Sequence, residues 1–319
     1  MTTRRQFLGQ CAGAAGAALL PSRAAAEFAW RFSADATRPS IQFPSDPASR
    51  VAVASYPFRE FIAGAEHKSG NPTVELKDFA AHVVEKFAVH RIEPWSAHFP
   101  STDSKYLEQF RAAVANARSG VADIAVDGED SPYAANSAER VRAIAFSKRW
   151  IDVALAIGSP SVRTNIPPAK DAKPDIARLS ESLLRVVEYA SNKNVAVHLE
   201  NDNPVSEDPF FLAQVIDRVN SPWLHALPDF GNSLAAHSDD EEYAYRGIDG
   251  LFARAYGICH VKNEEVNDAG KTVHVDLART FGILKRHDYK GYCSIEYDAA
   301  SDPYKATAEL IEKTIGFLK

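Results

Sequence analysis

From Val51 onward the chain alternates two patterns of hydrophobic and polar residues. Short apolar runs, rich in β-branched residues, recur at intervals. Between them lie longer stretches whose apolar residues return every three or four positions, as in Val74, Phe79, Val83, Val84 and Phe87. The short runs predict strands over Val51–Tyr56, His90–Pro94, Val121–Val126, Ser161–Thr164, Val195–Glu200, Leu224–Asp229, Tyr256–Lys262 and Tyr292–Tyr297. The longer stretches predict helices over Thr73–Lys86, Lys105–Arg118, Ser137–Ile157, Lys173–Lys193, Asp208–Asn220, Asp239–Ala253, Asp276–His287 and Asp302–Lys319. Several of these open on Asp or Ser, which satisfy the free N–H groups of a first helical turn.

Eight strand–helix repeats predict an α/β fold, a single-domain (β/α)8 TIM barrel over residues 51–319. A doubly wound open sheet is the alternative. It calls for a Gly-rich phosphate loop after the first strand, and Ser55-Tyr56-Pro57-Phe58-Arg59-Glu60 has no glycine.

The N-terminus follows a different pattern. Paired arginines in Thr3-Arg4-Arg5-Gln6-Phe7-Leu8 precede a weakly apolar run to Leu20 and the small residues Ala24-Ala25-Ala26. Residues 1–26 therefore resemble a twin-arginine export signal, which predicts a periplasmic or otherwise exported protein beginning near Glu27. Residues 27–50 lack periodicity and read as an N-terminal arm. No uninterrupted apolar run of about 20 residues follows the signal, so no spanning helix is expected after its cleavage.

Composition narrows the class. The chain has 319 residues, 45% hydrophobic, with a formal charge of −6. A mildly acidic chain lacks the basic face that nucleic acid requires. Once the signal is removed, Cys259 and Cys293 remain. Strand parity relative to His260 and Glu296 turns both towards the outer helices, at different heights, and predicts two buried free thiols.

Barrel chemistry sits at the C-terminal ends of the strands. In the second half of the chain those ends carry Glu200, Asp229, His260 and Glu296, once per strand. Three carboxylates brought to one mouth repel one another unless a cation or protons intervene. A single divalent metal is the economical answer. Mixed carboxylate and imidazole ligation suits Mn²⁺ first, with Mg²⁺, Co²⁺ or Zn²⁺ also compatible.

The segments HLEND, LPDFGN, HVKN and YCSIEYD, the tail LARTFGILKRHDYKGYCSIEYD and the opening VAVASYPFRE resemble the xylose-isomerase-like barrel superfamily of sugar isomerases and epimerases, near the ketose 3-epimerases and inosose dehydratases. The resemblance runs from Val51 to the C-terminus. It implies that Glu200, Asp229, His260 and Glu296 are the metal ligands. It also implies that Glu200 and Glu296 double as the acid–base pair, acting on a small carbohydrate or polyol. Two departures qualify it: Asn232 stands where ketose epimerases carry a histidine, and Ser206, next to Glu207, where they carry a glutamate.

Around this centre, alternation along the strands places His198 on the inward face with Glu200, either beside the metal or in the barrel core. Lys262 shares the inward face of His260 and is a candidate for a substrate oxygen. Arg163 is a candidate to hold a hydroxyl, carboxylate or phosphate. Tyr56, Phe58, Trp95, His98 and Phe99 could form an aromatic wall against a sugar ring, with His98 also a candidate acid–base group. Epimerisation, isomerisation and elimination all start from the same proton abstraction. A metal-dependent lyase or hydrolase of a keto-sugar glycoside and a non-catalytic periplasmic sugar-binding protein are therefore the rival expectations. A nuclease of the endonuclease IV type fits poorly with 10 histidines in all and an acidic balance.

Overall fold

Seven helices begin on an Asp or Asn whose side chain accepts a hydrogen bond from a first-turn N–H: Asp103, Asn136, Asp175, Asp208, Asp240, Asp276 and Asp302. Each cap contributes about 1 kcal/mol and sets where the chain turns from loop to helix. The computed structural model describes residues 38–64, 73–299 and 302–319. The predicted signal at 1–26 and the first part of the arm, 27–37, lie outside the described residues.

The barrel strands, in chain order, are β1 (Val51–Ala54), β2 (Arg91–Glu93), β3 (Gly120–Val121), β4 (Ala125–Val126), β5 (Ser161–Thr164), β6 (Ala196–Glu200), β7 (Leu224–Leu227), β8 (Ile258–Val261) and β11 (Tyr292–Ile295). The helices packed around them are α1 (Phe79–Phe87), α2 (Ser104–Asn116), α3 (Ser137–Ile157), α4 (Ile176–Ser191), α6 (Pro209–Val219), α8 (Glu241–Phe252), α9 (Leu277–Arg286) and α10 (Pro303–Leu318). Two short helices, α5 (Asn203–Ser206) and α7 (Asn232–Ala236), follow β6 and β7 directly. All strand pairings within the barrel are parallel. Strands β1, β5, β6, β8 and β11 are buried along their whole length, as strands covered by helices on one face and a packed interior on the other must be.

Hydrogen bonding divides the wall into a five-stranded sheet, β3-β2-β1-β11-β8, and a four-stranded sheet, β4-β5-β6-β7. Isolated bridges join them, Trp95 with Ala125 on one side, and Ala226 with Ala255 and Asp229 with His260 on the other. The predicted third strand is thus two pieces. It breaks around Asp123, whose buried carboxylate takes a hydrogen bond from the Arg163 backbone N–H at 2.9 Å.

The described part of the arm, residues 38–50, closes the N-terminal end of the barrel. Phe43 packs edge-on against Tyr256 and Tyr292, and with Ile41 covers a cluster containing Ala52, Ala122, Leu227 and Ile258. Arg50 fastens it by donating to the carbonyls of Tyr289 and Gly291. At the opposite end an antiparallel hairpin, β9 (Glu264–Val266) and β10 (Thr272–His274), rises from the loop after β8. Its pattern is too short and polar to have been predicted. Gly270 permits its turn, at φ 74°. No helix among the described residues is long and apolar enough to cross a membrane.

Candidate metal centre and cavity

A cavity of about 540 Å³ opens at the C-terminal ends of the strands. Its floor carries Glu200, at the end of β6, and Glu296, just past β11; Tyr56, Trp95, Arg163, Asn232 and Lys262 form part of its walls. Hairpin residues Glu265–Ala269 overhang it.

Glu200, Asp229, His260 and Glu296 are brought together, each offering one ligand atom within 4.8 Å of the others, and all four are buried. Nδ1 of His260 lies 2.7 Å from Oε1 of Glu200, 3.1 Å from Oε2 of Glu296 and 3.9 Å from Oδ2 of Asp229. The donor set fits a divalent cation on direct grounds. Oδ2 of Asp229 is buried with no hydrogen-bond donor, with Nζ of Lys262 3.6 Å away, an expensive arrangement for a carboxylate oxygen unless a cation faces it more closely. Oε2 of Glu200 also lacks a donor and faces Nε of Arg163 without hydrogen-bond alignment. Burial, together with the neighbouring Glu200 and Glu296 carboxylates, pushes the Asp229 carboxyl up to about 7, against the pull of Lys262 and His260. Burial also raises Glu200, with His260 and Arg163 opposing. For Glu296 burial is overruled by His260, Lys262 and Arg163, which hold it well below the usual carboxylate range.

Each acid is held from outside. Oδ1 of Asp229 accepts from the backbone N–H groups of Gly231 and Asn232 at 2.8 and 2.6 Å, at the start of α7, which leaves Oδ2 for the centre. Asn201 then pins the Asp229 backbone, accepting from its N–H at 2.7 Å and donating to its carbonyl. The polar residue after the β6 acid therefore braces the next ligand. Gly231 lies at a close approach: a Cβ there would stand 3.1 Å from Cβ of Glu265 and 3.3 Å from Cδ of Lys262. Nε of Arg163 lies 2.9 Å from Oε2 of Glu200, an ion pair without hydrogen-bond alignment, and its Nη1 grips Asp127. Lys262 donates to Asn232 and Glu265, at 2.9 and 2.8 Å, and stands 3.3 Å from Glu296.

The structure sorts the remaining candidates. Tyr56 and Trp95 line the cavity in an edge-on pair 5.2 Å apart, and Trp95 donates to Asp127 at 2.6 Å. Asn232 also lines it, bridging Lys262 and, at 3.5 Å, Glu200. His98 does not reach the cavity. It is buried behind Trp95 with Nδ1 2.9 Å from Ser55 Oγ, and burial followed by Arg59 lowers it to about 4, which suits structure rather than proton transfer. His198 is a core histidine, not a substrate contact. It faces inward but one layer too deep, against Oδ1 of Asp123 at 3.1 Å. Phe58 and Phe99 turn away into helix packing, on Phe79 and Phe110 among others.

The cysteines are unbonded and buried, but not at different heights. Cys259 and Cys293 are register partners with sulfurs 3.8 Å apart. His260 pairs with Ser294, two residues before Glu296, so the two ligands do not share a level.

Glu93 and Asp127 are functional neighbours that sequence reasoning missed. Glu93 ends β2 as Glu200 ends β6, so the strand-end rule applied to the first half of the chain finds it. Asp127 stands one residue past the predicted strand Val121–Val126, so the same rule extended by one position reaches it.

Comparison with known proteins places this geometry. No curated protein matches the chain. Among solved structures, a xylose isomerase-like TIM barrel protein from Mycobacterium smegmatis, in complex with magnesium, aligns at a TM-score of 0.62 and 18% identity, covering 84% of this chain and 96% of that one. An L-ribulose 3-epimerase aligns at 0.64 and 15% identity, covering 83% and 95%. A D-allulose 3-epimerase from Methylomonas sp., in complex with D-allulose, aligns at 0.63 and 16% identity, covering 86% and 98%. At these identities the likeness is one of fold. A family model for the xylose isomerase-like TIM barrel matches residues 76–319, well over half of the sequence. The chain belongs to the xylose isomerase-like TIM barrel family.

Proposed function

We propose that this protein is a divalent-metal-dependent sugar isomerase or epimerase, moving a proton next to a carbonyl and hydroxyl pair of a carbohydrate or polyol. The observation that carries the reading is the buried cluster of three carboxylates and one imidazole, of which Glu200 and Glu296 line the cavity at the barrel mouth. Glu200, Asp229, His260 and Glu296 would hold the ion, with Mn²⁺ first in preference and Mg²⁺, Co²⁺ or Zn²⁺ compatible. When bound, the ion supplies Lewis acidity that makes a neighbouring C–H acidic.

The chain's own residues supply the rest. Glu200 and Glu296 belong to strands separated around the barrel by β7 and β8, so they reach the cavity from different sides. One removes the proton and the other returns it, and the face of return sets the product. Lys262 keeps Glu296 ionised. Arg163 orients Glu200. Tyr56 and Trp95 give a ring an apolar face. Both cations on the cavity wall are already engaged by acids, which favours a sugar without phosphate or carboxylate. A cavity of about 540 Å³ lies within the range of roughly 300–1,000 Å³ usual for small-molecule sites. It admits a glycoside as well as a single ring, which keeps a keto-sugar lyase as the second reading. Export through the residue 1–26 signal is part of the proposal, tested by fractionating cells that carry Arg4→Lys with Arg5→Lys.

The test is metal content by plasma mass spectrometry on chelator-free protein, beside Asp229→Asn, followed by ketoses in D2O. About one ion per chain and deuterium gained at the carbon beside the carbonyl are expected. Stoichiometric metal without exchange on any ketose would replace the reading with that of a sugar-binding protein. No metal, even after incubation with Mn²⁺, would end it.

A further inference from the structure

His260 has a second face. Its Nε2 lies 2.9 and 3.0 Å from the two carboxylate oxygens of Glu93, across the barrel interior from the other three acids. Both residues are fully buried. Glu93 is itself fixed: its carbonyl accepts from the Ser55 N–H at 2.8 Å, and it pairs in register with Ala54 on β1. Among the described residues its ion pair is with His260.

We propose that Glu93 is the positioning residue of the metal centre, selecting the His260 tautomer that presents a lone pair to the ion. A neutral imidazole carries one proton on one of two nitrogens. With that proton on Nε2, it points at Glu93, and Nδ1 is free to face Glu200, Asp229 and Glu296. With the proton on Nδ1, a hydrogen occupies the ligand position, and the Nε2 lone pair confronts two carboxylate oxygens in a buried space. Glu93 disfavours that state and strengthens Nδ1 as a donor, as a carboxylate behind a metal-bound histidine does in general. This inference rests on the four-residue ion site proposed above. The rival is that Glu93 only satisfies a buried histidine and serves stability.

The experiment uses the full chain, histidine-labelled with ¹⁵N, as wild type, Glu93→Gln and Glu93→Ala. Zn²⁺ and Co²⁺ dissociation constants are measured by calorimetry, and the Zn²⁺-loaded forms by ¹⁵N–¹H correlation. Expected for wild type is a His260 resonance pair with Nε2 protonated, its proton shifted far downfield by the carboxylate. Expected for Glu93→Ala is loss of that shift, a changed Co²⁺ visible spectrum and metal affinity roughly 10–100-fold weaker. Glu93→Gln keeps an acceptor oxygen without the charge and falls between; it decides the matter if Glu93→Ala does not fold. A purely structural role would lower the unfolding midpoint of the metal-free protein and leave the Co²⁺ spectrum and affinity unchanged. Affinities within twofold of wild type in both variants overturn the inference and leave the ion site standing. A wild type that binds neither metal overturns both.

Discussion

Replacing Arg163 tests whether the acids of the centre depend on a fixed cation in the metal-free protein. Arg163 is buried between Glu200, 2.9 Å from its Nε, and Asp127 on its Nη1. Arg163→Leu preserves bulk and removes the charge, leaving Glu200 buried and unpaired on that side. Breaking a buried pair from one end costs about 3–5 kcal/mol, because the remaining charge keeps its desolvation cost and loses its partner. Urea unfolding in excess chelator should show a loss of that size. Arg163→Lys should recover part of it, since it restores charge without the planar fork. Adding Glu200→Gln to Arg163→Leu should make the double variant more stable than the single effects sum to, by about 0.5–3 kcal/mol. A loss below about 1 kcal/mol, or a strictly additive double variant, would refute the view that Arg163 is the electrostatic support of Glu200.

Three further outcomes follow from the structure. Asp229→Asn removes the charge behind the donor-free Oδ2 and should abolish the thermal stabilisation that Mn²⁺ gives to wild type, about 2.7 kcal/mol at 100 times the dissociation constant, read by calorimetry with and without metal. His98 takes a proton near 6.5 when unfolded but only near 4 when folded; the unfolded chain therefore binds more protons between those values, and stability, complete above 6.5, should fall by about 3 kcal/mol as pH drops through that window. His98→Gln should flatten that part of the stability–pH curve, and an unchanged slope would assign it to other groups. Gly257→Ala would place a Cβ 2.5 Å from Cε1 of His198 and should destabilise by about 1–3 kcal/mol in chemical unfolding; an unchanged midpoint would refute the view that the His198 ring is fixed there.

Much of the architecture is legible in the sequence because the barrel strands are short apolar runs, several of which stop at or beside a charged residue, and seven helices start on a capping Asp or Asn. Glu200, Asp229, His260 and Glu296 stand out for that reason, as charges where burial forbids them singly. Depth within the barrel is not legible. Parity places His198 inward correctly but cannot tell the core layer from the mouth. The cysteine heights go astray for a related reason: they assume His260 and Glu296 share a level, whereas strand register is set by the backbone ladder, which pairs His260 with Ser294. The hairpin after β8 eludes periodicity because its strands are short and polar.

The division of the barrel wall into two sheets has a mechanical consequence. Glu200 and Asp229 ride on or just past strands of the four-stranded sheet; His260 and Glu296 ride on or just past strands of the five-stranded one. The backbone contact between Asp229 and His260 is one of the few bridges across that seam. A cation gripped by all four would act as a clasp between two half-shells that share few ladder bonds there. Amide hydrogens on both edges of the seam should then exchange more slowly when the clasp is fastened, while those inside each half-shell keep their rates.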